Sequence, residues 1–167
     1  MANPRIEFVP FREEHLVFLA AWLREPHVAE FWQEDEKNLR DKFLNGLPAR
    51  GVAPFVFLIE GKPSGYIQHY EACRVGGGWW PGATRGVFGI DQLLGDPTLL
   101  GRGIGTAVIS RFVAELFRDP AVREIIADPA PGNVRAVRAY EKAGFVAGGV
   151  VETPGGIALL MRATRKS

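Results

Sequence analysis

The spacing of hydrophobic and polar positions predicts seven short strands and several helices. Strand-like runs cover residues 5–9, 54–60, 65–72, 87–93, 123–127, 145–152 and 157–162. Apolar residues recur at helical spacing over residues 13–23, 103–117 and 133–143, and one or two short helices are expected over residues 27–47. Helices that alternate with strands in this order predict a mixed, layered α/β fold.

Length, charge and cysteine content narrow the class of protein. The chain has 167 residues, which predicts one domain over residues 1–167. Its formal net charge of +1 gives no field that would draw it to nucleic acid or to an anionic membrane. The N-terminal sequence lacks the apolar core of a signal peptide, and the single cysteine, Cys73, fits a reducing compartment. We therefore expect a cytoplasmic protein that is a monomer or a homodimer.

A glycine-rich loop directly precedes the clearest helix, at Gly101, Arg102, Gly103, Ile104, Gly105 and Thr106. Glycines let the backbone turn tightly and approach a ligand closely. The first amides of a helix have no partners within the helix, so they can bind an anion. Arg102 could add a charge-assisted hydrogen bond. The loop therefore predicts a pyrophosphate site, although a tight turn that caps the helix would use the same glycines.

The sequence lacks the signatures of several other sites. A Walker A loop needs a Gly-Lys-Ser/Thr triplet, which does not occur. The dinucleotide pattern GxGxxG/A fails because Thr106 or Val108 stands in its last position. The chain contains neither a GxSxG elbow nor clustered metal ligands, which disfavours covalent hydrolases and predicts no metal.

A second motif lies one predicted strand after the glycine-rich loop. Residues 133–145 read Asn-Val-Arg-Ala-Val-Arg-Ala-Tyr-Glu-Lys-Ala-Gly-Phe, and with the loop they resemble the GNAT acetyltransferase superfamily, in which these two segments clamp coenzyme A. Further segments resemble the aminoglycoside 6′-N-acetyltransferases, in the same order and spacing. They are His-Val-Ala-Glu-Phe-Trp at 27–32, Gly-Tyr-Ile-Gln-His-Tyr at 65–70, Gly-Trp-Trp at 78–80, Gly-Ile-Asp-Gln at 89–92 and Asp-Pro at 128–129.

The resemblance implies a fold, an acetyl donor and a reaction. The fold would be a mostly antiparallel central sheet, splayed in the middle to admit acetyl-coenzyme A, with helices on both faces. The amides of residues 101–106 would hold the pyrophosphate, Asn133 would support the pantetheine and Tyr140 would lie near the sulfur. The pantetheine would pair with the strand backbone at Val87, Phe88, Gly89 and Ile90. The reaction would be direct acetyl transfer to the 6′-amine of an aminoglycoside.

Such a transfer requires a group that takes a proton from the acceptor nitrogen, because alkyl amines are mostly protonated near pH 7. Asp91, which follows the apolar run at 87–90, is the predicted base. An ordinary aspartate pKa of ~3.9 makes a weak base, so burial or a positioned water would have to assist. A backbone N–H of the same strand could polarise the thioester carbonyl. Tyr140 could give its proton to the departing thiolate, and Asp128 could bind or orient an ammonium group.

Each of these three residues also has a purely structural interpretation. Asp91 could be an exposed acid at a strand end, and Asp128 could be a turn residue before Pro129. Tyr140 could be a core aromatic of its helix. The sequence alone leaves both interpretations open.

The acceptor site is predicted to be lined by aromatic and polar side chains together with Asp91 and Asp128. The others are Trp32, Gln68, Tyr70, Trp79 and Trp80. Aromatic faces attract cations by ~0.5–2 kcal/mol each, and a glutamine can hydrogen-bond a sugar hydroxyl. Ordinary core burial is the alternative for the two adjacent tryptophans.

Some acids that such acetyltransferases tend to carry around the acceptor are missing. Gly77, Gly155 and residues 81–83 stand in their places. The remaining candidate acids are Asp91, Asp128, Glu30, Glu71 and Glu152. A polyamine, another small amine or a siderophore precursor is therefore an alternative acceptor, although siderophore enzymes usually place a histidine near the position of Asp91. A non-catalytic coenzyme A-binding sensor is the alternative from another functional class.

Overall fold

Seven strands and six helices are seen in the computed structural model, which describes residues 3–75 and 80–165. The strands are β1 Ile6–Pro10, β2 Ala53–Ile59, β3 Lys62–Glu71, β4 Val87–Leu94, β5 Glu124–Ala127, β6 Val146–Thr153 and β7 Gly156–Thr164. The helices are α1 Leu16–Arg24, α2 Pro26–Ala29, α3 Leu39–Asp41, α4 Leu47–Ala49, α5 Ile104–Leu116 and α6 Val134–Lys142. The predicted order of strands and main helices is confirmed.

The region predicted to hold one or two short helices is more irregular than expected. After α2, the chain passes through a 3-10 turn at Glu36–Asn38, α3, a π-helical turn at Lys42–Gly46 and then α4. Pro48 lies in the first turn of α4 and has no N–H to donate, so the hydrogen-bond ladder cannot run through it unchanged. The missing donor of a proline therefore helps to divide one helical stretch into several short turns.

The strands form one sheet in the order β1-β2-β3-β4-β5-β7-β6. β1 with β2, β2 with β3, β5 with β7, and β6 with β7 pair antiparallel. β4 and β5 pair parallel, with Gly89 opposite Ile126. A parallel pair requires a crossover connection, and α5 provides it. The sheet is therefore mixed and mostly antiparallel, as predicted.

Two compact units can be distinguished among the described residues, and the first contains residues 3–69 and 92–102. Its core is aromatic and centres on Tyr66, whose side chain is fully buried. The ring meets Phe43, Phe11 and Trp32 edge to face, with centroid distances of 5.2, 5.9 and 6.0 Å. Edge-to-face contacts at these distances are favourable beyond the burial of apolar area. They fix the ring of Tyr66 within this unit.

The second unit contains residues 70–75, 80–91 and 103–165. Helix α5 buries one face, made of Ile104, Val108, Ile109, Phe112 and Val113. An apolar cluster of the same unit consists of Ala72, Trp80, Val87, Ile126 and Leu160, with Tyr70 partly buried against it. Helix α6 ends at Lys142, and Gly144 follows its C-cap Ala143 with a φ of +101°, which suits glycine at that position. Among the described residues, no helix combines the length and apolar character that a bilayer crossing requires.

Candidate active site

The parallel pairing of β4 and β5 brings two aspartates together. Gly89 lies opposite Ile126, and Asp91 and Asp128 each follow two positions later, on the same face of the sheet. Both are only partly exposed, and their side chains hydrogen-bond each other. Carboxyl ends of parallel strands meet at one edge of a sheet, which is where ligands commonly bind in α/β folds.

The two carboxyls share a proton near neutral pH. Burial, the charge of Asp91 and the hydrogen bond to its side chain raise the pKa of Asp128 to about 8. Two carboxylates at hydrogen-bond distance repel each other, so the pair favours one proton between them. Such a pair can bind an ammonium group and can also take up its proton.

Two tyrosines, Tyr70 partly buried and Tyr140 buried, lie within electrostatic range of the acid pair. Burial raises the pKa of Tyr70 far above its usual range, and the charges of Asp91 and Asp128 raise it further. The pKa of Tyr140 is raised by the same causes in the same order. Tyr140 is 5% exposed and meets Phe145 edge to face at a centroid distance of 5.2 Å. Both phenols therefore keep their protons at neutral pH and act as neutral hydrogen-bonding groups.

Trp80 lies in the apolar cluster described above and is 4% exposed. The structure thus gives this side chain a core environment, which was the alternative interpretation of its sequence position. Trp79 and Gly77 lie outside the described residues. Gly155 is exposed in the turn between β6 and β7.

The segment from Trp80 to Gly86, which leads into β4, is held by arginine side chains from β7 and from the residue before β5. Arg162 Nη2 donates to the carbonyl of Pro81 at 3.3 Å. Arg123 Nη2 donates to Thr84 Oγ1 at 2.6 Å and to the carbonyl of Arg85 at 2.7 Å. The segment therefore has a defined path although much of its surface is exposed.

Glu71 also holds this segment. Its Oε2 accepts the N–H of Gly86 at 2.9 Å, and its Oε1 pairs with Arg74 Nε at 2.6 Å. These bonds hold the pKa of Glu71 below its ordinary value. The carboxylate thus already has partners within the protein, whereas Glu30 and Glu152 are exposed. The sequence did not predict that Glu71 and Arg123 hold this segment, because their partners are distant along the chain and no local pattern indicates such contacts.

Gly86 and Gly82 offer a matched test of this segment. Both have left-handed backbone, with φ of +87° and +74°. A Cβ at Gly86 would lie 2.6 Å from the carbonyl oxygen of Ala121, whereas a Cβ at Gly82 would meet nothing within 4 Å. We expect Gly86→Ala to lower the free energy of unfolding by ~2–4 kcal/mol and Gly82→Ala by only ~1 kcal/mol, in urea titrations of both variants. Equal losses would show that the Ala121 carbonyl moves away freely.

The glycine-rich loop has an open backbone before α5. Gly101 and Gly103 have φ of +74° and +75°, and a Cβ at either would meet nothing within 4 Å. Gly103 is the N-cap of α5, and no side chain caps that end. Arg102 is exposed, Ile104 is buried, and Gly105 and Thr106 are partly buried. Amides of a helix start without a side-chain cap suit an anionic group such as a phosphate.

Asn133 begins α6 as its N-cap, and its side-chain oxygen accepts the N–H of Ala136 at 3.3 Å. Along β4, Val87, Gly89 and Ile90 are buried and Phe88 is partly buried. Among the described residues, no group of three or more His, Cys, Asp or Glu side chains could hold a metal ion.

Trp32 and Gln68 belong to the first unit, where Tyr66 connects to both. The Tyr66 hydroxyl donates to Gln68 Oε1 at 2.7 Å, and its ring meets that of Trp32 edge to face. The structure therefore groups Asp91, Asp128, Tyr70 and Tyr140 in the second unit and Trp32 with Gln68 in the first.

Comparisons with known proteins match this chain over almost its whole length. The family described as "Acetyltransferase (GNAT) domain" matches residues 12–153. The aminoglycoside N(6′)-acetyltransferase type 1 of Klebsiella pneumoniae is 41% identical over 173 aligned positions, which cover 99% of this chain and 86% of that protein.

Solved structures agree with the sequence comparison. AAC(6′)-Ib in complex with paromomycin and acetyl-coenzyme A has a TM-score of 0.90 and 40% identity, and the match covers 96% of this chain and 93% of that one. The structure of the same enzyme with coenzyme A and kanamycin also has a TM-score of 0.90 and 40% identity. That match covers 96% of this chain and 95% of the other. The mixed sheet, the helices around it and these matches have one explanation: the chain has the GNAT fold and belongs to the GNAT acetyltransferase family.

Proposed function

We propose that this protein transfers the acetyl group of acetyl-coenzyme A to the 6′-amine of an aminoglycoside. The observation that carries the proposal is the 41% identity, over 99% of this chain, to an aminoglycoside N(6′)-acetyltransferase. The acid pair supports it, because an aminoglycoside presents ammonium groups and the site offers two carboxyls on one sheet face.

The donor is bound by backbone more than by side chains. The amides that begin α5, with the open turns at Gly101 and Gly103, suit the pyrophosphate. Strand β4 at residues 87–90 offers backbone groups for the pantetheine, and Asn133 fixes the start of α6. When bound, acetyl-coenzyme A supplies an acetyl group activated as a thioester.

Asp91 and Asp128 bind the acceptor ammonium and take one proton from it. The neutral nitrogen then attacks the thioester carbonyl and the carbon–sulfur bond breaks. The acid pair holds the first proton that the nitrogen lost, and the second proton, which must leave for the amide to form, passes to solvent. A backbone N–H of β4 polarises the carbonyl oxygen.

Tyr140 stabilises the leaving sulfur by a hydrogen bond. Its pKa lies well above the ordinary value, whereas a thiol such as cysteine has a pKa of ~8.5. Complete transfer of the phenolic proton to the thiolate would therefore be unfavourable. The thiolate is instead protonated from solvent after it leaves the site.

The whole chain is proposed to act as one domain in the cytoplasm. The family match covers residues from both compact units, and the single cysteine suits a reducing compartment. Its partner is the small amine acceptor.

A thiol-release assay tests the proposal. The protein is incubated with acetyl-coenzyme A and with aminoglycosides that carry either an amine or a hydroxyl at the 6′ position, and polyamines serve as controls. We expect turnover only with the 6′-amino compounds. Turnover with polyamines alone would overturn the proposed acceptor and leave an acetyltransferase of another substrate class.

A further inference from the structure

The side chain of Tyr70 packs directly against the backbone of Gly89. An ideal Cβ built on Gly89 would lie 2.4 Å from Tyr70 Cζ, 2.5 Å from Cε2 and 2.6 Å from Oη. No side chain can occupy that space while the phenol stays there. Gly89 does not have left-handed backbone, so packing of the phenol is the reason for glycine at this position.

The hydroxyl end of Tyr70, and not only its ring, reaches β4. Three atoms at the tip of the side chain make the close approach, whereas the ring packs against the apolar cluster that contains Trp80 and Ile126. Asp91 lies two residues after Gly89, so its side chain projects from the same face of β4. The ring is thus anchored in apolar surroundings and the hydroxyl lies at their polar edge.

A phenylalanine would give the same packing without a polar atom. Burying a hydroxyl without a hydrogen bond is unfavourable, so a tyrosine at such a place indicates a partner for its oxygen. Tyr70 is only partly buried, so solvent or a ligand can reach this side chain. A ligand that carries N–H groups and approaches the acid pair would give the hydroxyl a hydrogen-bond partner.

We infer that the Tyr70 hydroxyl binds the reacting amino group of the acceptor, accepting an N–H hydrogen bond and holding the nitrogen between Gly89 of β4 and the Asp91–Asp128 pair. This inference rests on the proposed function. It adds a neutral third contact to the two carboxyls, so that a primary ammonium finds an acceptor for each of its three N–H groups.

A neutral third contact suits the reaction better than a third acid would. Each added carboxylate would stabilise the ammonium form and make loss of its proton harder. The phenol orients the nitrogen without adding charge, because its pKa keeps it protonated throughout the working range. The lone pair freed by proton transfer first points at the acid pair, and rotation about the carbon–nitrogen bond turns it toward the thioester.

Tyr70→Phe separates the hydroxyl from the ring. We expect kcat/KM for the aminoglycoside to fall roughly 10- to 100-fold, as for loss of a hydrogen bond to a charged group. The Kd of acetyl-coenzyme A and the thermal midpoint should stay unchanged. Gly89→Ala is the complementary variant, because it keeps the hydroxyl but pushes the phenol off its seat, and it should also weaken the acceptor reaction.

The outcomes distinguish this inference from the proposed function. The parent protein could turn over 6′-amino compounds while Tyr70→Phe shows the same kcat/KM as the parent. That result would overturn the role of the hydroxyl and leave the proposed function intact. Lack of turnover by the parent with any amine would overturn both. A loss in Tyr70→Phe confined to the KM of acetyl-coenzyme A would also contradict the inference, because it would place the hydroxyl at the donor.

Discussion

Asp91→Asn is expected to reduce kcat/KM for acetyl transfer by ~10²–10⁴-fold, the usual contribution of a positioned acid or base. The amide keeps the size and hydrogen bonding of the side chain but cannot take up a proton. The Asp91–Asp128 pair then loses the group that we propose accepts the proton of the acceptor. Initial rates of thiol release over a range of acceptor concentrations, with and without the substitution, measure the effect.

Two controls make this result specific. Asp119 is exposed and its Oδ1 accepts the N–H of Ala121 at 2.9 Å, a bond that an asparagine oxygen can also accept. Asp119→Asn should therefore retain parental activity. Acetyl-coenzyme A should bind Asp91→Asn as tightly as the parent protein. A variant that binds the donor and still turns over at the parental rate would remove Asp91 from the mechanism.

Asp128→Asn should make the protein more stable than its parent at pH 8, by ~1–3 kcal/mol. An aspartate in an unfolded chain has a pKa of ~3.9, whereas the pKa of Asp128 in the folded protein is about 8. Between these values the unfolded chain releases a proton that the folded chain keeps. The contribution of Asp128 to stability is therefore fully present below about pH 4 and is lost as the pH rises toward 8.

The asparagine removes this dependence because it stays neutral and can still donate a hydrogen bond to Asp91. Urea titrations at pH 5 and pH 8 should show parent and variant close together at the lower pH and separated at the higher one. The free energy of unfolding of Asp119→Asn should match that of the parent at both pH values. Equal pH dependence in parent and Asp128→Asn would show that the shared proton does not exist.

The same substitution should impair function while it stabilises the fold. A carboxyl that is held neutral and destabilised by burial is typical of a group kept for binding or catalysis. Asp128→Asn would lose the carboxyl that can take part in binding the acceptor ammonium and in holding its proton. Gain of stability together with loss of acceptor affinity would identify Asp128 as a functional residue and exclude the interpretation as a simple turn aspartate before Pro129.

Much of the fold could be predicted from the sequence because it depends on local patterns. Alternating apolar positions gave the strands, and helical spacing gave α5, where Ile109, Phe112 and Val113 are buried as expected. The turns between residues 36 and 49 could not be predicted in detail, because short helical turns of 3-10, α and π type differ little in sequence preference.

The sequence predicts candidate residues of the site but not their arrangement. Asp91 was predicted from the apolar run before it, whereas its pairing with Asp128 depends on the register of two parallel strands. The packing of Tyr70 against Gly89 and the hydrogen bond from Gly86 to Glu71 join residues that are distant along the chain, so the sequence does not reveal them. Whether Trp80 faced a cleft or the core depended on the same tertiary contacts, since a tryptophan suits both environments.

Transfer to the 6′-amine is tested most directly by the structure of the product. Kanamycin and acetyl-coenzyme A are incubated with the purified protein, and the product is analysed by mass spectrometry and by nuclear magnetic resonance. We expect a single added acetyl group, with shifted resonances at the 6′ position and unchanged resonances beside the other amines. An acetyl group on a different amine, or unmodified kanamycin beside a polyamine that is acetylated under the same conditions, would contradict the proposed function.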